Sequence, residues 1–184
     1  MPVEVSETRL SGVLVVTSRV FRDNRGYFTE SFSSRDLEKA GFPPITFLQD
    51  NLSCSAKGVL RGMHYQLRPH AMGKLVRVIQ GAVFDVVVDL RATSPTFGQW
   101  AGEWLDEDNG KALWVPAGFA HGFLALADRT LVHYKCDAFH EAPAERSLHY
   151  ADPDVGIEWP DEVRVISPKD EIAPTLKDAE YNFD

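Results

Sequence analysis

An all-β jelly roll, a sandwich or barrel of antiparallel strands, is the fold class the sequence predicts. Short β-branched and aromatic runs recur at close spacing, Gly, Pro, Asn and Asp punctuate them, and only one segment reads as a helix. In chain order the runs are GVLVVTSRVF, GYFTESF, ITFLQDNLS, GVLRGMHYQ, KLVRVIQG, AVFDVVVDL, FGQWAGEWL, ALWVP, GFLALA and TLVHYKCDAF, about ten strands. The helix is SSRDLEKAG, where Ser33 or Ser34 can cap the first turn, Asp36 complements the dipole and Gly41 can end the last turn. From residue 141 the strand signals fade, and Pro143, Pro153, Pro160, Pro168 and Pro174 divide the chain into short turns and helical pieces. One domain over 1–184 is expected, with 141–184 a turn-rich tail packed on the strands, since no linker, repeat or low-complexity segment interrupts the sequence.

The bulk composition excludes several functions. A net charge of -8 repels polyanions, and no basic run gathers the opposite sign, so nucleic acid and membrane surfaces are not expected partners. One anionic ligand remains compatible, because a pyrophosphate needs only a few convergent Arg or Lys side chains. Cys54 and Cys136 lie far apart without C-x-x-C spacing and read as reduced thiols. MPVEVSETRLSG lacks the basic and apolar regions of a secretory signal, and the longest apolar runs, Gly12 to Val16 and Val83 to Val88 broken by Asp85, are strand-sized. A soluble cytoplasmic protein is the expectation.

Strand parity predicts which polar side chains share an interior pocket. Lys74 falls with Val76 and Val78, and Tyr134 with Val132 and Cys136, so both point inward among apolar neighbours. His64 falls with Leu60 and Gly62, whereas Arg61 falls on the other face; a bulge at Gly62 would bring both to one ligand.

VPAGFAHGF contains P-x-G-x-x-H, in which Pro116 and Gly118 make a turn that aims His121, and it resembles the second metal motif of cupin barrels. A catalytic divalent site wants three or four protein ligands, usually an H-x-H pair and a Glu in the earlier hairpin. Here that hairpin offers only His64 and His70, with no Glu between Gly62 and Gly102, so no metal is expected.

Several segments together resemble the dTDP-4-dehydrorhamnose 3,5-epimerase family across nearly the whole chain: FRDNRGYFTESF, FLQDNLSCSAKGVLRGMHYQ, GKLVRVIQGAVFDVVVDLR, SPTFGQW, VPAGFAHGFLAL, VHYKC, YADPDVGIEWP and ISPKD. The resemblance implies a cupin-like jelly roll, a homodimer, no cofactor, and a dTDP-linked 4-keto-6-deoxy sugar as substrate. It makes His64 the proton-abstracting base, Asp170 the carboxylate that orients it, Lys74 the group beside the ketone oxygen and Tyr134 the acid. It assigns substrate binding to Arg25, Glu30, Gln49, Asp50, Asn51, Arg61, His121, Glu145 and Lys169.

The chemistry needs these types. A His–Asp pair fixes the ring tautomer and favours the imidazolium formed after abstraction. General base catalysis supplies roughly 10²- to 10⁴-fold, short of the ~10⁶-fold or more that enzymes commonly provide. A charge at the developing oxyanion adds about 3 to 4 kcal/mol, which covers much of the gap. Inversion at carbon then requires a proton delivered to the opposite face, hence a second group, which Tyr134 supplies. One departure stands out: six residues after Tyr134, where many double epimerases carry a tyrosine, this chain has Phe139-His140. The resemblance therefore leaves open, beside double inversion, a C3-only or C5-only epimerase of a related 4-keto sugar. A non-catalytic sugar-binding cupin has no use for an acid facing a base.

Overall fold

The computed structural model describes residues 2–184, and the predicted all-β class holds. Thirteen strands form among them: β1 (Val3–Glu7), β2 (Leu14–Ser18), β3 (Val20–Asp23), β4 (Gly26–Thr29), β5 (Gln49–Ser55), β6 (Leu60–Gln66), β7 (Lys74–Gln80), β8 (Ala82–Asp89), β9 (Trp100–Asp106), β10 (Lys111–Val115), β11 (Phe119–Ala125), β12 (Thr130–Cys136) and β13 (Glu145–Ser147). One sheet has the order β1-β2-β10-β7-β12-β5, the other β13-β6-β11-β8-β9, and every pairing within them is antiparallel. No named strand of one sheet pairs with the other among the described residues, so the jelly roll is a sandwich and not a closed barrel. β3 and β4 pair only with each other, as a hairpin.

The alternation read from the sequence becomes three packed layers. Val76 and Val78 of β7, Val83 and Val87 of β8, Leu113 of β10, Phe123 of β11 and Val132 of β12 fill the space between the sheets. The outer face of the first sheet, with Val16, Leu75 and Trp114, is covered by α1 (Ser34–Lys39) and the segment after it through Leu37 and Phe42. Met63, Tyr65, Val86 and Val88 face outward from the second sheet, where Leu148, Val155 and Phe183 of the tail bury them. β8 is therefore covered on both faces, which accounts for its nearly unbroken apolar run.

Ser33 caps α1 by accepting from Asp36 N, and Gly41 ends the turn at a φ of 91°. The first long run divides at Arg19 into β2 and β3, and ITFLQDNLS is a strand only from Gln49. β1 and β13 escaped the sequence reading: both are short edge strands, ERS without an apolar residue and VEVSE with only Val3 and Val5 packed on the outer face of the first sheet. No helix among the described residues is long and apolar enough to cross a membrane.

Candidate active site

A cavity of about 470 Å³ opens between the sheets and the tail, and His64, Lys74, Tyr134 and Asp170 all line it. A side lobe of about 170 Å³ shares the first three of them and adds Gln49, Asn51, His140 and Glu145.

His64 reaches the cavity because β6 bulges. His121 of β11 pairs with His64 and Phe123 with Arg61, so one residue of β11 spans two of β6, Gly62 and Met63. The extra residue reverses the parity that would have separated Arg61 from His64, as the sequence required. Gly62 sits at a φ of 132°, and a Cβ there would lie 2.5 Å from Gly122 Cα, so only glycine fits.

Asp170 approaches from the tail. The sequence S-P-K-D builds the short helix α2 (Pro168–Glu171), with Ser167 as cap and Pro168 in the first turn, where its missing N–H costs nothing. Asp170 is buried, and its Oδ1 lies 2.6 Å from His64 Nε2 while Oδ2 accepts from Gly62 N at 3.5 Å. Burial acts to raise its pKa, but the hydrogen bond and charge of His64, with help from Ser167 and Gly62, hold the carboxyl below the usual range. With Nε2–H given to Asp170, the neutral ring presents the Nδ1 lone pair as base.

The opposing sheet supplies the other two groups. β7 begins at Lys74, anchored by Gly73 N donating to Asp137 Oδ1 at 2.6 Å. Burial pushes the Lys74 ammonium below its ordinary pKa, countered in part by Cys136, Asp85 and Glu145. Tyr134 packs against the core between the sheets, and burial raises its pKa, which keeps the phenol protonated at neutral pH. His64 and Tyr134 thus stand on different sheets, facing one cavity.

The assigned binding residues divide into two groups. Arg61 lines the cavity with its guanidinium held by Ser55 Oγ at 3.0 Å and the Cys54 carbonyl at 3.2 Å. Gln49 Nε2 donates to Asn51 Oδ1 at 3.1 Å, and Lys169 Nζ donates to Glu145 Oε1 at 2.6 Å, beside His140 at 3.3 Å from Glu145 Oε2. His121 is buried in the cavity wall. Asp50, Arg25 and Glu30 lie elsewhere. Strand alternation sends Asp50 to the face opposite Gln49 and Asn51, where it accepts from Lys135 at 2.9 Å and lies 3.4 Å from His133. Arg25 is in the β3–β4 turn, paired with Asp23, with its side chain 85% exposed. Glu30 follows β4 and borders a separate recess beside Ser33 and Asp36.

Asp85 is the residue the motif reading did not assign. Its Oδ1 lies 2.8 Å from His121 Nε2, giving the cavity wall a second histidine–carboxylate pair, and the sequence signal was the acid that breaks the apolar run Val83 to Val88. Among the described residues no three His, Cys, Asp or Glu side chains gather as a metal site would require; His64 and His121 each give Nε2 to a carboxylate.

A jelly-roll sandwich whose interior cavity sets a carboxylate-backed imidazole across from an ammonium and a phenol defines an acid–base site for a small ligand. Comparison with known proteins sharpens this. The family model for dTDP-4-dehydrorhamnose 3,5-epimerase matches residues 7–178. The chain is 46% identical to the dTDP-4-dehydrorhamnose 3,5-epimerase of Shigella flexneri over 96% of its own length and 98% of the relative's. It is 48% identical to that of Pseudomonas aeruginosa over 94% and 97%. The crystal structure of a dTDP-6-deoxy-D-glucose-3,5-epimerase from Legionella pneumophila, in complex with dTDP-4-keto-L-rhamnose, superposes with a TM-score of 0.89 at 43% identity, covering 96% of this chain and 94% of that one. The chain belongs to the dTDP-4-dehydrorhamnose 3,5-epimerase family.

Proposed function

We propose that the chain epimerises dTDP-4-dehydro-6-deoxy-D-glucose at C3 and C5, giving dTDP-4-dehydro-L-rhamnose, without a cofactor. The observation that carries this is the placement of His64 on one sheet and of Lys74 and Tyr134 on the other, because inversion needs a proton removed from one face of the sugar and returned to its opposite face. His64 Nδ1 takes the hydrogen beside the ketone, the electron pair moves onto the C4 oxygen, and the Lys74 ammonium meets the charge. Tyr134 then gives its phenolic proton to the opposite face of the same carbon. His64 loses its proton to solvent, Tyr134 regains one, and the cycle repeats at the other carbon flanking C4.

Arg61 and Lys169 supply cations for the diphosphate, and Gln49 and Asn51 amide edges for the base. The reading takes 1–184 as one unit and places it in a reducing compartment, the cytoplasm, in keeping with its free cysteines Cys54 and Cys136. It also takes the protein as a homodimer. A binding role for Arg25 and Glu30 then requires the β3–β4 hairpin, with its exposed Phe21, Tyr27 and Phe28, to reach the cavity of a second copy.

The test is turnover of dTDP-4-keto-6-deoxyglucose in deuterium oxide, followed by NMR and mass. Two solvent deuteriums with inversion at both carbons support the reading. One deuterium confined to C3 or C5 at long times makes the chain a single-centre epimerase, and no exchange at saturating enzyme refutes both.

A further inference from the structure

Asp85 stands in the middle of β8 on the face that carries Val83 and Val87 into the space between the sheets, and it is wholly buried. A carboxylate is costly to hold in such surroundings, and a third valine would serve the packing better. Its hydrogen bonding is also incomplete. Oδ1 accepts from His121 Nε2 at 2.8 Å, whereas Oδ2 has no hydrogen-bond partner among the described residues.

Its partner His121 faces the cavity. His121 pairs across the strands with His64, so the two imidazoles stand side by side, each with Nε2 tied to a carboxylate. Lys74 enters from the opposite sheet, and among the described residues its Nζ forms neither a salt bridge nor a hydrogen bond. The titratable and charged groups around it are Cys136 and Tyr134 of β12, Arg61, His64 and Tyr65 of β6, His121 of β11, Asp85 of β8, His140, Glu145 of β13, and Lys169 and Asp170 of α2. Among the three carboxylates, Glu145 gives its oxygens to Lys169 and His140, and Asp170 to His64 and Gly62. Asp85 alone keeps an oxygen uncommitted.

We propose that Asp85 is a positioning residue for the reaction: through Oδ1 it holds His121 with Nδ1 turned towards the sugar, and its buried negative charge supports the ammonium of Lys74. This rests on the epimerase reading above and extends it to a residue that need not touch the substrate. In the neutral ring, Nδ1 of His121 is an acceptor for a sugar hydroxyl, next to the same atom of His64 that acts on carbon. The charge of Asp85 offsets part of the burial penalty on Lys74, which must be cationic when the enolate forms.

The test compares full-length wild type with Asp85→Asn and Asp85→Ala, measuring kcat and KM for the 4-keto sugar nucleotide across the neutral and alkaline range, melting temperature, and two-bond ¹H–¹⁵N spectra of the His121 ring without ligand. Asp85→Asn is expected to lower kcat at least about tenfold, to change KM less than about threefold, and to move the alkaline limb of kcat to lower pH. Its melting temperature should stay near that of the wild type, because Asn keeps the size of the side chain and an acceptor for His121 Nε2–H. The His121 ring should carry its proton on Nε2 in the wild type and distribute it over both nitrogens in Asp85→Ala. A kcat within about twofold of wild type with the limb unmoved would overturn the proposal, as would a wild-type His121 ring in mixed tautomers. Absence of turnover by the wild type would defeat the epimerase reading instead, and the ring spectra would still decide whether Asp85 fixes His121.

Discussion

Asp170→Asn is the most informative single change, because it alters the state of His64 while nearly preserving the size and shape of a buried side chain. The carboxylate accepts twice, from His64 Nε2 at 2.6 Å and from Gly62 N at 3.5 Å. An amide has one acceptor and one donor for those two N–H groups. If its oxygen stays on His64, the dyad loses its charge, and the charge-assisted bond is worth about 1.5–3 kcal/mol, or roughly 10- to 150-fold in rate. If the oxygen turns to Gly62, the NH₂ faces Nε2 and drives the ring proton onto Nδ1, the atom that must take hydrogen from carbon. Tautomer reversal of this kind in a serine protease costs about 10⁴-fold.

The expected result is therefore a fall in kcat of at least about tenfold and up to about 10⁴-fold, with the dissociation constant for dTDP within about threefold, since the nucleotide does not depend on the dyad. Initial rates by NMR and binding by calorimetry measure the two quantities. A kcat within tenfold of wild type would sink the assignment of His64 and Asp170 as a working pair. Stability gives an independent check. The folded-state pKa of Asp170 is depressed, so its contribution is present above the unfolded carboxyl pKa and is lost as pH falls through the folded one. The stability difference between wild type and Asp170→Asn should accordingly shrink on acidification.

Three further outcomes follow from the same geometry. Tyr134→Phe should lower kcat by roughly 10²- to 10⁴-fold while solvent deuterium still washes into the unconverted substrate, because His64 can return a proton to the face it left; inversion at wild-type rate would remove Tyr134 as acid. Gly62→Ala should destabilise by about 2 kcal/mol or more and lower kcat with it, since the new Cβ meets Gly122 Cα at a positive φ; urea unfolding and rates together check this, and a neutral effect on both would show that the bulge can relax. Asp89 is a structural carboxylate: burial acts to raise its pKa, but hydrogen bonds from Arg91, Ser94 and Thr96 bring it from 3.8 down to about 2. Asp89→Asn should lose about 2 kcal/mol at neutral pH and progressively less in acid, as urea unfolding against pH will show.

The core strands were legible in the sequence because each carries one residue parity into the space between the sheets. Lys74 with Val76 and Val78, and Tyr134 with Val132, needed no structure to be placed facing inward. The edges were not legible, since β13 has no apolar residue and β1 shows its alternation over only Val3 and Val5, so pairing with neighbours decides both. The bulge could be inferred only as a requirement: two residues of opposite parity had to meet one ligand, and a glycine lay between them. Its cause is tertiary, the close passage of Gly62 over Gly122 on the adjacent strand.

The site itself was legible to different depths for different residues. Asp170 shows the limit of local reasoning, because S-P-K-D predicts a capped turn, but only the docking of the tail over the second sheet brings that turn to His64. Arg25, Glu30 and Asp50 lie away from the cavity of their own chain, since alternation turns Asp50 to the opposite face and the hairpin carries Arg25 outward. A motif reports which residue types travel together and is silent about which copy of the chain they serve. Asp85 had a purely physical signal, an ionisable side chain in an apolar strand covered on both faces. Such a residue is hard to explain by packing and easy to explain by chemistry, so an acid that breaks the pattern of a buried strand is a better pointer to a site than many residues that fit a pattern.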